Sequence, residues 1–169
     1  MTTGVVVADW IKRIADDERR RDAVRVREEE MVARKAELIR LNGRRLLDEL
    51  RAAVVRDVEA FRGEFAGDPS RDIVLEPTRA TGGFAVRKPA SPAATLTAAP
   101  HLDTASMDCH YQFTSTNGLP PREERLELVF AADGTEALQI KTQRTGQVFA
   151  STDALSEYLL GPVLTGRPR

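Results

Sequence analysis

Residues 106–114, Ser-Met-Asp-Cys-His-Tyr-Gln-Phe-Thr, alternate strictly between apolar and polar side chains. Successive side chains on a β-strand point to opposite faces, so this period of two predicts a strand with Met107, Cys109, Tyr111 and Phe113 on a core face. Ser106, Asp108, His110, Gln112 and Thr114 fall on the other face. The only cysteine of the chain lies next to one of its two histidines here. The same alternation separates them: Cys109 and His110 point apart and cannot act as a nucleophile and its base, and a thiol among apolar neighbours keeps its proton.

The period of two extends in both directions along the second half of the chain. Further strands are predicted at residues 72–76, 83–88, 94–98, 125–131, 136–142 and 147–150, with Phe84, Val86, Leu126, Leu128, Phe130, Leu138 and Ile140 inward. Arg125, Glu127, Gln139, Lys141 and Gln143 would face out. Asp133-Gly134 and Thr145-Gly146 are tight-turn signals, and successive tight hairpins imply an antiparallel meander. The segment KPASPAATLTAAP is biased toward Pro and Ala and suits an edge or a loop. After it all, STDALSEYLLGPVLTGRPR opens with capping residues and an early Asp153. It predicts a short closing helix that is disturbed at Gly161-Pro162.

The first half follows another period. From Val7 to Ala66 there is no proline, and Ala, Arg, Glu and Leu dominate, which predicts one long helix or two joined at a break. Leu47, Leu50, Val54, Val58, Phe61 and Phe65 recur at threes and fours, a stripe of the kind that packs on a sheet. Before Asn42-Gly43 the helix is nearly all charge, with Val24, Met31 and Leu38 seven residues apart and Trp10 and Ile14 ahead of them. That spacing suggests a thin coiled-coil seam. Acid-before-base pairs Asp16–Arg20, Asp17–Arg21 and Glu30–Arg34 would each add a few tenths of a kcal/mol. Asn42-Gly43 either breaks the helix into a hairpin or is a weak point in a continuous one. Continuity is preferred, because the charged half has little apolar surface with which to fold back.

The expected fold is therefore α+β: a long N-terminal helix on a twisted antiparallel meander of five to seven strands, with a short C-terminal helix. Residues 1–68 form the helix, its N-terminal part projecting. Residues 69–169 form the sheet domain, which folds as one unit with the second half of the helix.

Composition narrows the function. The chain has 169 residues, 41% of them hydrophobic, enough for one modest core. With 25 basic and 26 acidic residues the net charge is −1, so no global field steers it to nucleic acid or to an anionic membrane. No segment approaches the roughly 20 apolar residues of a membrane span, the N-terminal apolar run is too short for a secretion signal, and one cysteine cannot close an internal disulfide. A soluble, cytoplasmic protein is expected.

No reaction is legible. The paired glycines of ATGGFAV run from loop into strand without a following Lys-Ser/Thr, and no serine elbow, His-Glu-x-x-His or calcium loop is present. No catalytic residue, cofactor or metal site is assigned. The leading expectation is a non-enzymatic interaction module. Its N-terminal helix would associate with itself or with a partner helix through Trp10, Val24, Met31 and Leu38, while Arg20, Arg21, Arg25 and Arg27 set partner choice by charge. Packing of those apolar residues onto the protein's own body is the alternative. A second hypothesis is a small-ligand or enzymatic site around His110, with polar contacts from Asp108, His110, Gln112 and Arg125. A third is nucleic-acid binding through the stretch ERRRDAVRVR, which the flanking ADD and EEE largely neutralise.

Overall fold

In the computed structural model, the described residues are 8–114, 118–132 and 137–169. They form a long helix α1 (Asp9–Glu64), six strands and a second helix α2 (Thr152–Thr165). The strands are β1 (Val74–Pro77), β2 (Phe84–Lys88), β3 (Ala93–His101), β4 (Ser106–Thr114), β5 (Arg122–Ala132) and β6 (Leu138–Thr142). They pair in chain order, every pair antiparallel, as an α+β meander. The chain divides between Glu37 and Leu38 into two units, so the boundary falls inside α1.

α1 runs through Asn42-Gly43 without a break. Gly43 has a packing reason there: a Cβ would stand 3.1 Å from Leu102 Cδ2 and 3.3 Å from Ile39 Cγ2, so the helix approaches its neighbour closely at that turn. The stripe beyond it is buried as its period requires. Leu47, Leu50, Val54 and Val58 join Phe84, Val86, Leu96, Met107, Leu128, Phe130 and Ile140 of the sheet and Leu155, Leu159, Leu160 and Val163 of α2 in one cluster. Each such side chain contributes roughly 1.5–3 kcal/mol on burial. Phe61 and Phe65 are only half-buried. Asp57 accepts from the Ser156 hydroxyl at 2.7 Å and Arg56 pairs with Asp153 at 2.9 Å, which fixes α1 to α2 along their polar edges.

Several expectations need correction. The strand expected at 94–98 is present as β3, but it is longer than expected and lies inside the sheet, third of six, not at an edge. Its Pro100 is tolerated because β2 has already ended, its last partner in β3 being Ala98 opposite Phe84. Residues 147–150 form no strand; one isolated bridge, Lys141 to Val148, is what remains of that pairing. As expected, Gly161-Pro162 disturbs α2, where Pro162 has no amide to donate, yet the helix continues to Thr165 and stops at Gly166 in the left-handed conformation. Ser151 caps the other end, accepting from the Ala154 amide at 3.1 Å. The acidic residues at the start of α1 pair with the arginine three positions on, as Asp16–Arg19, Asp17–Arg20 and Glu18–Arg21, at 2.8, 3.6 and 2.9 Å. Val7, the Asp133-Gly134 turn and Glu136 lie outside the described residues.

Candidate functional site

The polar face of the sheet is built by register. His110 of β4 stands directly between Thr97 of β3 and Arg125 of β5, Gln112 between Thr95 and Glu123, and Asp108 between Ala99 and Glu127. The meander thus brings Asp108, His110, Gln112 and Arg125 together on one surface. Asp108 and Glu127 are like charges directly across from one another, an unfavourable pairing. His101 Nε2 lies 3.4 Å from the Asp108 carboxylate and offsets it when protonated. The carboxylate nearest His110 is Glu123, at 3.6 Å, not Asp108. That distance suits an ion pair with a protonated ring but is too long for a hydrogen bond, and His110 Nε2 is enclosed without a hydrogen-bond partner. Among the described residues no three or more His, Cys, Asp or Glu are grouped to hold a metal ion.

Cys109 is on the opposite face, 2% exposed. Burial, with the Asp108 charge adding, pushes its thiol up to about 12. Tyr111, next along that face, donates to the Leu159 carbonyl of α2 at 2.7 Å, and burial raises its phenol well above the usual range.

Beside Tyr111 opens a cleft of about 610 Å³ that takes in Glu124, Arg125, Leu126, Tyr158 and Arg169. It includes Arg125 but not Asp108, His110 or Gln112. Its most prominent cation, Arg169, stacks 3.4 Å from the centroid of the Tyr158 ring and donates to the Tyr158 carbonyl. That carbonyl would have bonded the amide four residues on, and position 162 is a proline without one. Arg169 therefore completes α2 where Pro162 leaves it incomplete. Nothing in the spacing of the tail marked Arg169 for this role. Lys88, also unmarked, ends β2 with its side chain buried; its ammonium donates to the carbonyls of Ala90 and Pro92 at 3.0 and 2.9 Å, and burial lowers its pKa.

The Asp9–Glu37 part of α1 has another character. Trp10, Ile14, Val24 and Met31 are 57, 52, 51 and 71% exposed, on a helix whose other positions are mostly charged. Arg20, Arg21, Arg25 and Arg27 are exposed as well; Arg25 lies 3.5 Å from Asp22 and 3.9 Å from Glu29. Leu38, the next residue of the seven-residue series, is buried and belongs to the other unit. It is therefore not part of the exposed seam. No helix among the described residues is long and apolar enough to cross a membrane. Comparison with known proteins finds no match: no family model fits the chain, and no curated protein or solved structure is similar to it.

Proposed function

We propose that this protein is a non-enzymatic association module whose Asp9–Glu37 helix pairs with another helix through Trp10, Ile14, Val24 and Met31. The observation that supports it is the exposure of those four side chains, each more than half accessible on a helix with repeated charge. Scattered exposed apolar residues are ordinary. A series in which Trp10, Val24 and Met31 fall on one heptad position, with Ile14 four residues after Trp10, is the pattern by which a second helix is gripped. The exposed arginines act on orientation and partner choice, since charges at the margin of a contact set specificity and association rate more than affinity. The Arg169 cleft, where Arg169 is already engaged with Tyr158, and the polar sheet face present no comparable row of exposed apolar side chains.

The test is sedimentation of the full chain, alone and with two designed amphipathic helical peptides that share a Leu/Ile seam and carry either Glu or Lys on both flanks. Association with itself or with one peptide, lost in Val24→Glu/Met31→Glu while the circular dichroism spectrum is unchanged, is the expected result. A monomer that binds neither peptide would rule out the association role.

A further inference from the structure

Resting on that association role, we infer that the partner is an acidic amphipathic helix of a different chain and not a second copy of this one. A two-helix seam takes residues alternately three and four apart. With Trp10, Val24 and Met31 at one seam position, Asp17 completes that series, and the alternate position carries Ile14, Arg21, Glu28 and Lys35. In a parallel, in-register pair of identical helices each of these faces itself. Asp17 would meet Asp17, Arg21 would meet Arg21, Glu28 would meet Glu28 and Lys35 would meet Lys35. Half of the layers would then bury like charges, and a charge buried without a counter-ion is costly.

Reversing one helix does not solve the problem, because an antiparallel pair sets each flank against the same flank of its copy. One flank of this seam carries Arg13, Arg20 and Arg27, all exposed and repeating every seven residues, about 10.5 Å apart along the axis. Arg20 has Asp17 at 3.6 Å, a solvent-exposed pair that neutralises little. Guanidinium rows set against one another repel, the like-charge juxtaposition that separates wrong partners from right ones. The opposite flank, Ile11, Glu18, Arg25 and Val32, mixes one acid and one base with two apolar residues, so the basic character is confined to one side.

A partner that relieves every conflict has apolar residues against Trp10, Ile14, Val24 and Met31, and carboxylates in a row along the arginine flank. It also places acids opposite Arg21 and Lys35 and bases opposite Asp17 and Glu28. Guanidinium groups suit this use because their planar fork takes a carboxylate in two hydrogen bonds.

The experiment uses the full chain with the Glu-flanked and Lys-flanked peptides and a duplex DNA fragment, at low and high salt. The expected result is a monomer when alone and binding of the Glu-flanked peptide with roughly tenfold or greater preference over its Lys counterpart. High salt and the full-length variant Arg13→Gln/Arg20→Gln/Arg27→Gln should both reduce that preference, and Val24→Glu/Met31→Glu should abolish binding. Seam-dependent self-association of the chain, or equal binding of both peptides, would overturn the acidic partner and leave the association role standing. A monomer that binds neither peptide would overturn both. Retention of the duplex that the arginine variant loses, without peptide binding, would overturn the inference in favour of phosphate contact.

Discussion

Cys109 and His110 are neighbours in the chain, yet the pleat of β4 sends one into the apolar core and the other to the polar face. Cys109 should therefore resist alkylation in the native protein at pH 8 and react at the rate of unfolding or local opening; modification as fast as that of a free thiol would contradict its burial. The thiol's pKa is raised on folding from 9.0 to about 12, so the folded state holds its proton after the unfolded chain has lost it. Its contribution to stability is full below pH 9 and declines between pH 9 and 12, by up to about 1.4 kcal/mol per unit. Cys109→Ala should flatten the alkaline limb of a denaturation profile, leaving the part due to Tyr111. Arg169 is a second case in which one side chain matters. Replacing it with Ala removes the donor that Pro162 denies to the Tyr158 carbonyl, together with the stacking on the Tyr158 ring. The expected loss is about 1 kcal/mol in urea denaturation, incompletely recovered by Lys. An unchanged midpoint would mean that the contact contributes nothing.

Among the elements, α1 offers an internal comparison. Leu50 is 1% exposed and Val24 51%, on the same helix. Leu50→Ala should cost about 2–5 kcal/mol by cavity formation, and Val24→Ala less than about 0.5 kcal/mol. Similar losses at both positions would mean that Val24 is covered. The end of α2 is set by Gly166, at φ +66°, where an added Cβ would overlap the Pro92 carbonyl. Gly166→Ala should cost more than about 2 kcal/mol, backbone strain and overlap together. A thermal midpoint equal to wild type would exclude that packing. These elements also show what local sequence conveys. β4 was legible to the residue because its alternation is unbroken, and the stripe from Leu47 to Val58 because its period is near 3.6. The strand expected at 94–98 was legible as β3, but its extension through Pro100 and its interior place were not, because the cost of a proline depends on whether a neighbouring strand needs its amide, which is a tertiary fact. α2 continues past Pro162 to the Gly166 cap, where the Gly166 and Arg167 amides donate to the Val163 and Pro162 carbonyls, and a local reading of Gly-Pro does not show that.

For the molecule as a whole, strand order followed from short connections, since a meander needs no long-range information beyond its turns. The candidate sites were less legible. The alignment of Asp108, His110, Gln112 and Arg125 on one face could be read from alternation, whereas the pairing of His110 with Glu123 instead of Asp108 needed the register. The unit boundary at Glu37/Leu38 falls within a continuous run of helix formers that no change in period marks sharply, and it separates Leu38 from the series begun by Trp10. What distinguishes the first unit is the exposure of Trp10, Ile14, Val24 and Met31, and hydrogen exchange tests whether a partner helix covers it. In the full chain mixed with the Glu-flanked peptide, amides of Asp9–Glu37 should gain protection, while those of the buried Leu50, Val54 and Val58 should exchange slowly with and without the peptide. If Asp9–Glu37 is already as protected as Val54 in the dilute chain, or gains nothing from the peptide, the helix is not an open association surface.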